Sequence, residues 1–375
     1  MRIPFNKSEI IGKEIEYIEE SVKGKISGDG QFTYNCSELL EKSLSVNKVL
    51  MTTSCTHALE MTSLLLDIKP GDEVIVPSFT FVSTVNAFVL RGAKPVFVDV
   101  RADTLNMDEK LLERLITDRT KAIVPVHYAG VGCEMDVIMN ISNKYNIPII
   151  EDNAHSLFGK YKGQYLGSFG SFATQSFHET KNFFCGEGGA LIINDADFIE
   201  RAEIIREKGT NRSKFFRGQV DKYSWIDLGS SYLPSDMLSA FLYAQLTERD
   251  FIQSNRKKIW DFYNNKLKRW SKENRIRLPV VPEHCEQAYH MFYLLMPSLK
   301  ARTSFMKNLG EKGISTVFHY LPLHSSEMGY KSGFKKGDCP ITEDVSDRLV
   351  RLPFYNTMTD DEMEYIVKTI LDIKF

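Results

Sequence analysis

The sequence predicts an α/β protein: a large domain with a mixed, mainly parallel sheet between helices, then a smaller C-terminal α+β domain. Three observations predict it. Short apolar runs rich in Val and Ile recur along the first half of the chain, bounded by Gly, Pro, Asp or Asn. Amphipathic stretches separate them, and that alternation places helices over both faces of a parallel sheet. The chain has 375 residues, a length that asks for about two domains.

In order, EVIVPSF (73–79), KPVFVDV (94–100), KAIVPVHY (121–128), IPIIEDN (147–153), FATQSF (172–177) and GGALIIND (188–195) read as strands. TLNMDEKLLERLI (104–116) and CEMDVIMNISNKYN (133–146) read as the helices between them. Ser235 stands where a helix cap belongs, ahead of Met237, Ala240, Phe241 and Ala244 at helical spacing. Trp260, Tyr263, Leu267 and Trp270 repeat that spacing, so 236–270 reads as one or two long helices. The remainder reads as strands YHMFYLLMP (289–297) and STVFHYLPL (315–323), with DEMEYIVKTILDI (361–373) as a final helix. The expected division is a large domain over 1–235, a helical connector over 236–270 and a small domain over 271–375.

Composition excludes several classes of function. Lys and Arg number 47 against 49 Asp and Glu, a formal net charge of −2, which lacks the basic footprint of a dedicated nucleic-acid binder. The most apolar stretch (74–90) is interrupted by Pro77, Ser78, Thr80, Ser83, Thr84 and Asn86. It is also shorter than the roughly 20 apolar residues of a membrane span. The first residues carry charges throughout and no apolar signal core, so a cytoplasmic protein with no membrane partner is expected. Six cysteines without a CxxC pair read as reduced thiols, with no metal site.

Ligands of open α/β sheets bind at the carboxyl ends of the strands, and three candidates lie there. Asp152 and His155 emerge from the strand in IPIIEDNAHS; taken alone, they also suit a turn residue and a structural histidine. Lys181 follows FATQSF and precedes a turn with Gly186, Gly188 and Gly189. A loop lysine is ordinarily solvated, but apolar flanks would desolvate this one and make it a usable amine nucleophile. TTSCTHALEMTSLLLDI (52–68) runs from a hydroxyl-rich turn into a helix, either a simple N-cap or an anion site. Together, an anion pocket, a strand-end carboxylate and a lysine near glycines are the parts of a pyridoxal 5'-phosphate site.

Several segments in one order carry a resemblance over essentially the whole chain: GDGQFT, SCTHALEM, the long run from Gly71 to Val100, VPVHYAG, EDNAHS, SFHETKN, GEGGA and FHYLPLH. The chain resembles the DegT-type sugar-nucleotide aminotransferases among the fold type I pyridoxal phosphate enzymes. SFHETKN, REKGTNRSKFFRGQVDKYSW and DLGSSYL look most like the branch that makes dTDP-4-amino-4,6-dideoxygalactose. The resemblance implies that Lys181 bonds covalently to the cofactor and moves protons, and that Asp152 pairs with the ring nitrogen. It implies His155 at the ring hydroxyl, Phe81 stacked on the ring, and Thr56 and His57 amides with the Ser176 hydroxyl around the phosphate. A further phosphate contact is implied from the neighbouring subunit of a homodimer, where Ser231 replaces the Asn usual in the family. Asn153, Phe184 and Cys185 also depart from the family's pattern.

The resemblance further implies a nucleotide-sugar substrate and L-glutamate as amine donor, and places FHYLPLH beside the site mouth, where His324 reads either as a substrate contact or as a structural residue. The basic residues Arg206, Lys208, Arg212, Lys214 and Arg217 read as a solvated face, but the resemblance places this region close to the sugar nucleotide, with Arg212 the candidate for the diphosphate.

Overall fold

The computed structural model describes residues 1–373. Seven strands form one sheet: β1 (Lys48–Thr52), β2 (Glu73–Pro77), β3 (Lys94–Val98), β4 (Thr120–Ile123), β5 (Ile150–Asp152), β6 (Phe172–Ser176) and β7 (Gly189–Ile193). Their spatial order is β3-β2-β4-β5-β6-β7-β1. Single parallel bridges, Ile123 to Ile149 and Val126 to Asp152, join β4 to β5. Pairing is parallel from β3 through β6, and β7 alone runs against both its neighbours. The expected mixed, mainly parallel sheet is therefore present. Four of its strands, β2, β5, β6 and β7, are buried along their whole length, as fits a sheet with helices over both faces.

Capping residues and glycines set how the helices meet this sheet. Ser54 caps the helix Cys55–Leu65 by accepting the His57 amide. The helix Gln31–Leu44 begins at Gly30, which has no side chain to cap it; the distant Asp236 accepts the Thr33 amide instead, at 2.7 Å. A Cβ on Gly30 would lie 2.3 Å from the Asp236 carboxyl carbon, so only glycine admits this cap. Ser235 caps Asp236–Thr247, as expected, and Arg249–Glu273 follows after a break at Glu248.

A second cluster of buried side chains gathers Tyr263, Leu267, Phe292, Leu294, Leu309, Ile366 and Ile370, with Ile3 of the amino terminus joining it. Each such side chain contributes about 1.5–3 kcal/mol by leaving water. The strands β8 (Tyr293–Leu295) and β9 (Leu349–Arg351) pair antiparallel here. The final helix, Asp360–Leu371, opens with a capping box between Thr359 and Glu362.

Two expected elements are absent. The run 104–116 forms two short 3₁₀ turns, Glu109–Leu111 and Glu113–Leu115, rather than a helix. Leu105 has a left-handed backbone (φ 63°), and the Asn106 side chain donates to Val131 O and Gly132 O while accepting the Tyr128 amide. Those bonds hold the segment in an irregular path before a helix could start. The run 315–323 is extended but makes a single bridge among the described residues, Val317 to Arg351, because its later residues turn toward the site. Among the described residues no helix is long and apolar enough to cross a membrane.

Candidate active site

Because β7 is antiparallel, its first residue lies at the same sheet edge as the last residues of β1 and β6. Thr52 pairs with Gly189, and Gly189 with Ser176. A Cβ on Gly189 would sit 2.3 Å from the Cys55 amide nitrogen, so glycine lets β7 pass directly beneath the start of the helix Cys55–Leu65. At this edge the structure gathers Thr56, His57, Asp152, His155, Ser176 and Lys181.

Lys181 lies on the connection from β6 to β7. The base of that connection is closed by the Phe177 amide on Gly188 O (2.8 Å) and the Cys185 amide on Phe177 O (2.9 Å). Lys181 lines a small recess of about 10 Å³ with Ala154, His155, Ser176 and Asn182. Burial lowers its amine from the ordinary 10.5 to about 8; the Asp152 charge works against that and the Arg351 charge reinforces it. A substantial neutral fraction near neutral pH is what an amine nucleophile or proton carrier requires.

Asp152, at the end of β5, is buried, and burial pushes its carboxyl up from the usual value. Thr84 Oγ1 donates to its Oδ2 at 2.7 Å and the Ala154 amide to its Oδ1 at 3.2 Å. Those bonds, with the nearby Lys181, favour the charged form. His155 stacks on His290 with ring centroids 4.3 Å apart and planes at 14°. Its Nε2 is 3.4 Å from Tyr320 OH, and its Nδ1 is buried without a partner. Burial, then the charges of Lys181 and Arg351, hold this imidazole well below its ordinary value, so it is neutral.

Other expected residues fall around this centre or away from it. The His57 amide is committed to Ser54 Oγ at 3.1 Å, and Thr56 Oγ1 donates to Ser83 Oγ at 2.8 Å. Phe81 is 56% exposed, with its ring 6.3 Å from that of Tyr320, an open apolar face. Ser231 and Arg212 line a different hollow of about 640 Å³, with Lys25, Ser27, Asp29 and Arg206. Within this basin Arg206 is paired with Asp29 and Arg217 with Glu203. Arg212 instead stacks on Phe216 at 5.0 Å and meets no carboxylate among the described residues.

His324 is corrected. It is fully buried, its Nδ1 bonded to Ser78 Oγ (2.6 Å) and its Nε2 to Glu343 Oε1 (3.0 Å). No ring nitrogen is left for a substrate, and its role is to fasten the segment carrying it to β2. The neighbours that do reach the site from that segment are His319 and Tyr320; sequence reasoning missed Tyr320. It also missed Thr84, and Asn182, whose Oδ1 lies 2.9 Å from His290 Nδ1. Position beside Lys181 was the available signal for Asn182; Thr84 and Tyr320 carried none.

A desolvated amine, a buried carboxylate with two donors, an orphaned imidazole nitrogen and a helix start at the carboxyl edge of the sheet fit pyridoxal phosphate. Fold and site together define a pyridoxal phosphate-dependent transferase. The profile of the DegT/DnrJ/EryC1/StrS aminotransferase family matches residues 8–371; the chain belongs to this family. It is 35% identical over 368 residues to the uncharacterized protein MJ1066 of Methanocaldococcus jannaschii, covering 96% of this chain and 95% of that one. Its fold matches the putative sugar aminotransferase Spr1654 from Streptococcus pneumoniae in the PLP form. That match has a TM-score of 0.90 and 28% identity, over 99% and 98% of the two chains. DesV of S. venezuelae matches with a TM-score of 0.90 and 26% identity over the full length of both chains. The protein is a sugar aminotransferase that uses pyridoxal phosphate.

Proposed function

We propose that this enzyme transfers the amino group of L-glutamate to the 4-keto group of dTDP-4-dehydro-6-deoxy-D-glucose. The product is dTDP-4-amino-4,6-dideoxy-D-galactose, for surface polysaccharide of the enterobacterial common antigen or O-antigen type. One observation carries the nucleotide-sugar reading: the basin beside Ser231 holds Arg212, a guanidinium without a carboxylate partner among the described residues. Bidentate phosphate recognition is what such a group suits.

When bound, the cofactor supplies an electron sink for the carbon that loses or gains a proton. In this reading Lys181 takes the proton from the donor's α-carbon and returns one to the sugar carbon that receives nitrogen. The Asp152 carboxylate, whose charged form Thr84 and the Ala154 amide favour, would pair with the ring nitrogen. The neutral His155 offers its free Nδ1 to the ring hydroxyl. Phe81, an exposed apolar ring, would stack on the cofactor. The first-turn amides at Thr56 and His57, with the Ser176 hydroxyl, hold the phosphate; His57 does so by releasing its bond to Ser54.

Ser231 lies in the basin, which shares no lining residue with the Lys181 recess. That separation supports a homodimer in which Ser231 of a second copy reaches the phosphate. So does the exposed apolar group of Phe216, Tyr223, Trp225 and Ile226, each more than half exposed. We further read the chain as a cofactor domain to residue 235, a helical connector to 270 and a small domain beyond.

Purified protein incubated with the 4-keto sugar nucleotide and glutamate tests the substrate. The expected result is loss of the visible cofactor band with glutamate, then an axial 4-amino product by NMR. An equatorial or 3-amino product overturns the assignment of the product; bleaching without sugar amination overturns the substrate.

A further inference from the structure

Two arginines lie beside the site, Arg256 fully buried and Arg351 half-buried, and only the first is satisfied. Arg256, 2% exposed, donates Nε to Tyr289 O (2.8 Å), Nη1 to Asn356 Oδ1 (2.7 Å) and Nη2 to His290 O (2.6 Å). Asn356 in turn donates to Asn182 O at 3.0 Å, so Arg256 braces the backbone next to Lys181. Arg351 is the opposite case. Its side chain makes no hydrogen bond and meets no carboxylate among the described residues, its Nε is buried without a partner, and its guanidinium lies 4.6 Å over the Phe5 ring. A half-buried guanidinium whose Nε is shut off from water without a counter-charge is unfavourable, and a ligand that brings the missing charge removes that cost.

Its surroundings say which ligand. Arg351 pairs with Tyr293 across β8 and β9, which puts both side chains on one face. The Tyr293 ring is 6.0 Å from Tyr128, and Tyr128 OH is 3.0 Å from His319 Nδ1. The His319 ring stacks 5.9 Å from His155, which lines the Lys181 recess. From the other side, Phe5 is followed by Asn6, whose Nδ2 donates to Glu179 O at 3.1 Å, two residues before Lys181. The titratable groups nearby are Lys181, His155, His290, His319, Tyr128 and Tyr320, each feeling the Arg351 charge. None of them is a carboxylate. Asp152 already has Thr84 and Ala154.

We propose that Arg351 binds the carboxylate of the amino-acid donor and of its 2-oxo acid product, presenting its guanidinium fork within reach of Lys181. The proposal rests on the transamination reading above, in which an α-amino acid supplies nitrogen. The fork geometry matches a carboxylate bidentately. The nucleotide diphosphate is the other anion in the reaction; Arg351 lines no part of the basin that holds Arg212.

The test uses the cofactor-loaded enzyme, its R351Q and R351K variants, and the visible cofactor band as a check of loading. Glutamate is first added without sugar. R351Q is expected to need about 100-fold more glutamate for half-maximal bleaching, with part of the loss recovered in R351K. Calorimetric affinity for maleate, an unreactive dicarboxylate, should fall in parallel. The second step, sugar amination by enzyme already carrying the amine, should be unchanged. Wild-type enzyme should also react about 100-fold less efficiently with the α-amide of glutamate than with glutamate, a comparison that needs no variant to fold. Unchanged glutamate and maleate responses in R351Q, equal use of the α-amide by wild type, or a loss confined to the sugar step would each overturn the proposal. Because the donor step runs without sugar, an error in the sugar assignment leaves it intact and shows only in the second step.

Discussion

Around Lys181 the polar groups are few, buried and bonded to one another, whereas the basin beside Arg212 is wide, open to water and laced with ion pairs. In the first hollow, burial resets protonation: the Lys181 amine falls to about 8 while the Asp152 carboxyl rises. In the second, Arg206 pairs with Asp29, and the Glu203 carboxylate raises Arg217 above its ordinary value, fixing its charge. The difference separates two tasks. Moving a proton needs a group whose charge is easily lost, and dry surroundings supply that. Gripping a large anion needs charges that never change, and arginines set beside carboxylates keep theirs.

The comparison breaks most completely at Lys181. K181A is expected to lower turnover by about 10,000-fold, measured with the cofactor supplied in excess; turnover near the wild-type rate would end the assignment. T84V comes next. It removes the donor that favours the Asp152 carboxylate, so the carboxyl value rises further and the acid limb of the rate profile moves to higher pH. Activity should fall about 30-fold, and an unmoved acid limb would remove Thr84 from the mechanism. R212A sharpens the contrast from the basin side: KM for the sugar nucleotide should rise about tenfold with kcat unchanged. If kcat fell and KM held, the basin would belong to the chemistry. The smallest effect on rate belongs to H324A, expected to cost about 2 kcal/mol of stability in a denaturant titration while leaving kcat/KM alone.

What sequence could reveal follows the same division. Lys181, Asp152 and the helix start after Ser54 each carry a local sign: a strand end, a glycine-rich turn, a capping hydroxyl. The groups that tune them do not. Thr84 reaches Asp152 across 68 residues and Tyr320 reaches His155 across 165, distances over which no periodic pattern speaks. The 104–116 run failed for a related reason: its spacing is amphipathic, but Asn106 spends its side chain on the backbone of residues 128–132. His324 shares its segment with Tyr320, and in an extended run with a single bridge the sequence does not say which side chain faces the site.

The lone reversed strand, β7, also bears on the order in which the protein takes shape. Lys181 rides a connection between adjacent antiparallel strands, closed by contacts short in sequence, and such closures form early because little chain entropy opposes them. The enclosure that lowers its amine draws on residues from both ends of the chain and assembles late. A refolding chain therefore displays this lysine as an ordinary solvated amine before it becomes a reactive one. In stopped-flow refolding with cofactor present, the far-ultraviolet signal should recover first and the visible band of captured cofactor after it; simultaneous recovery would contradict that order.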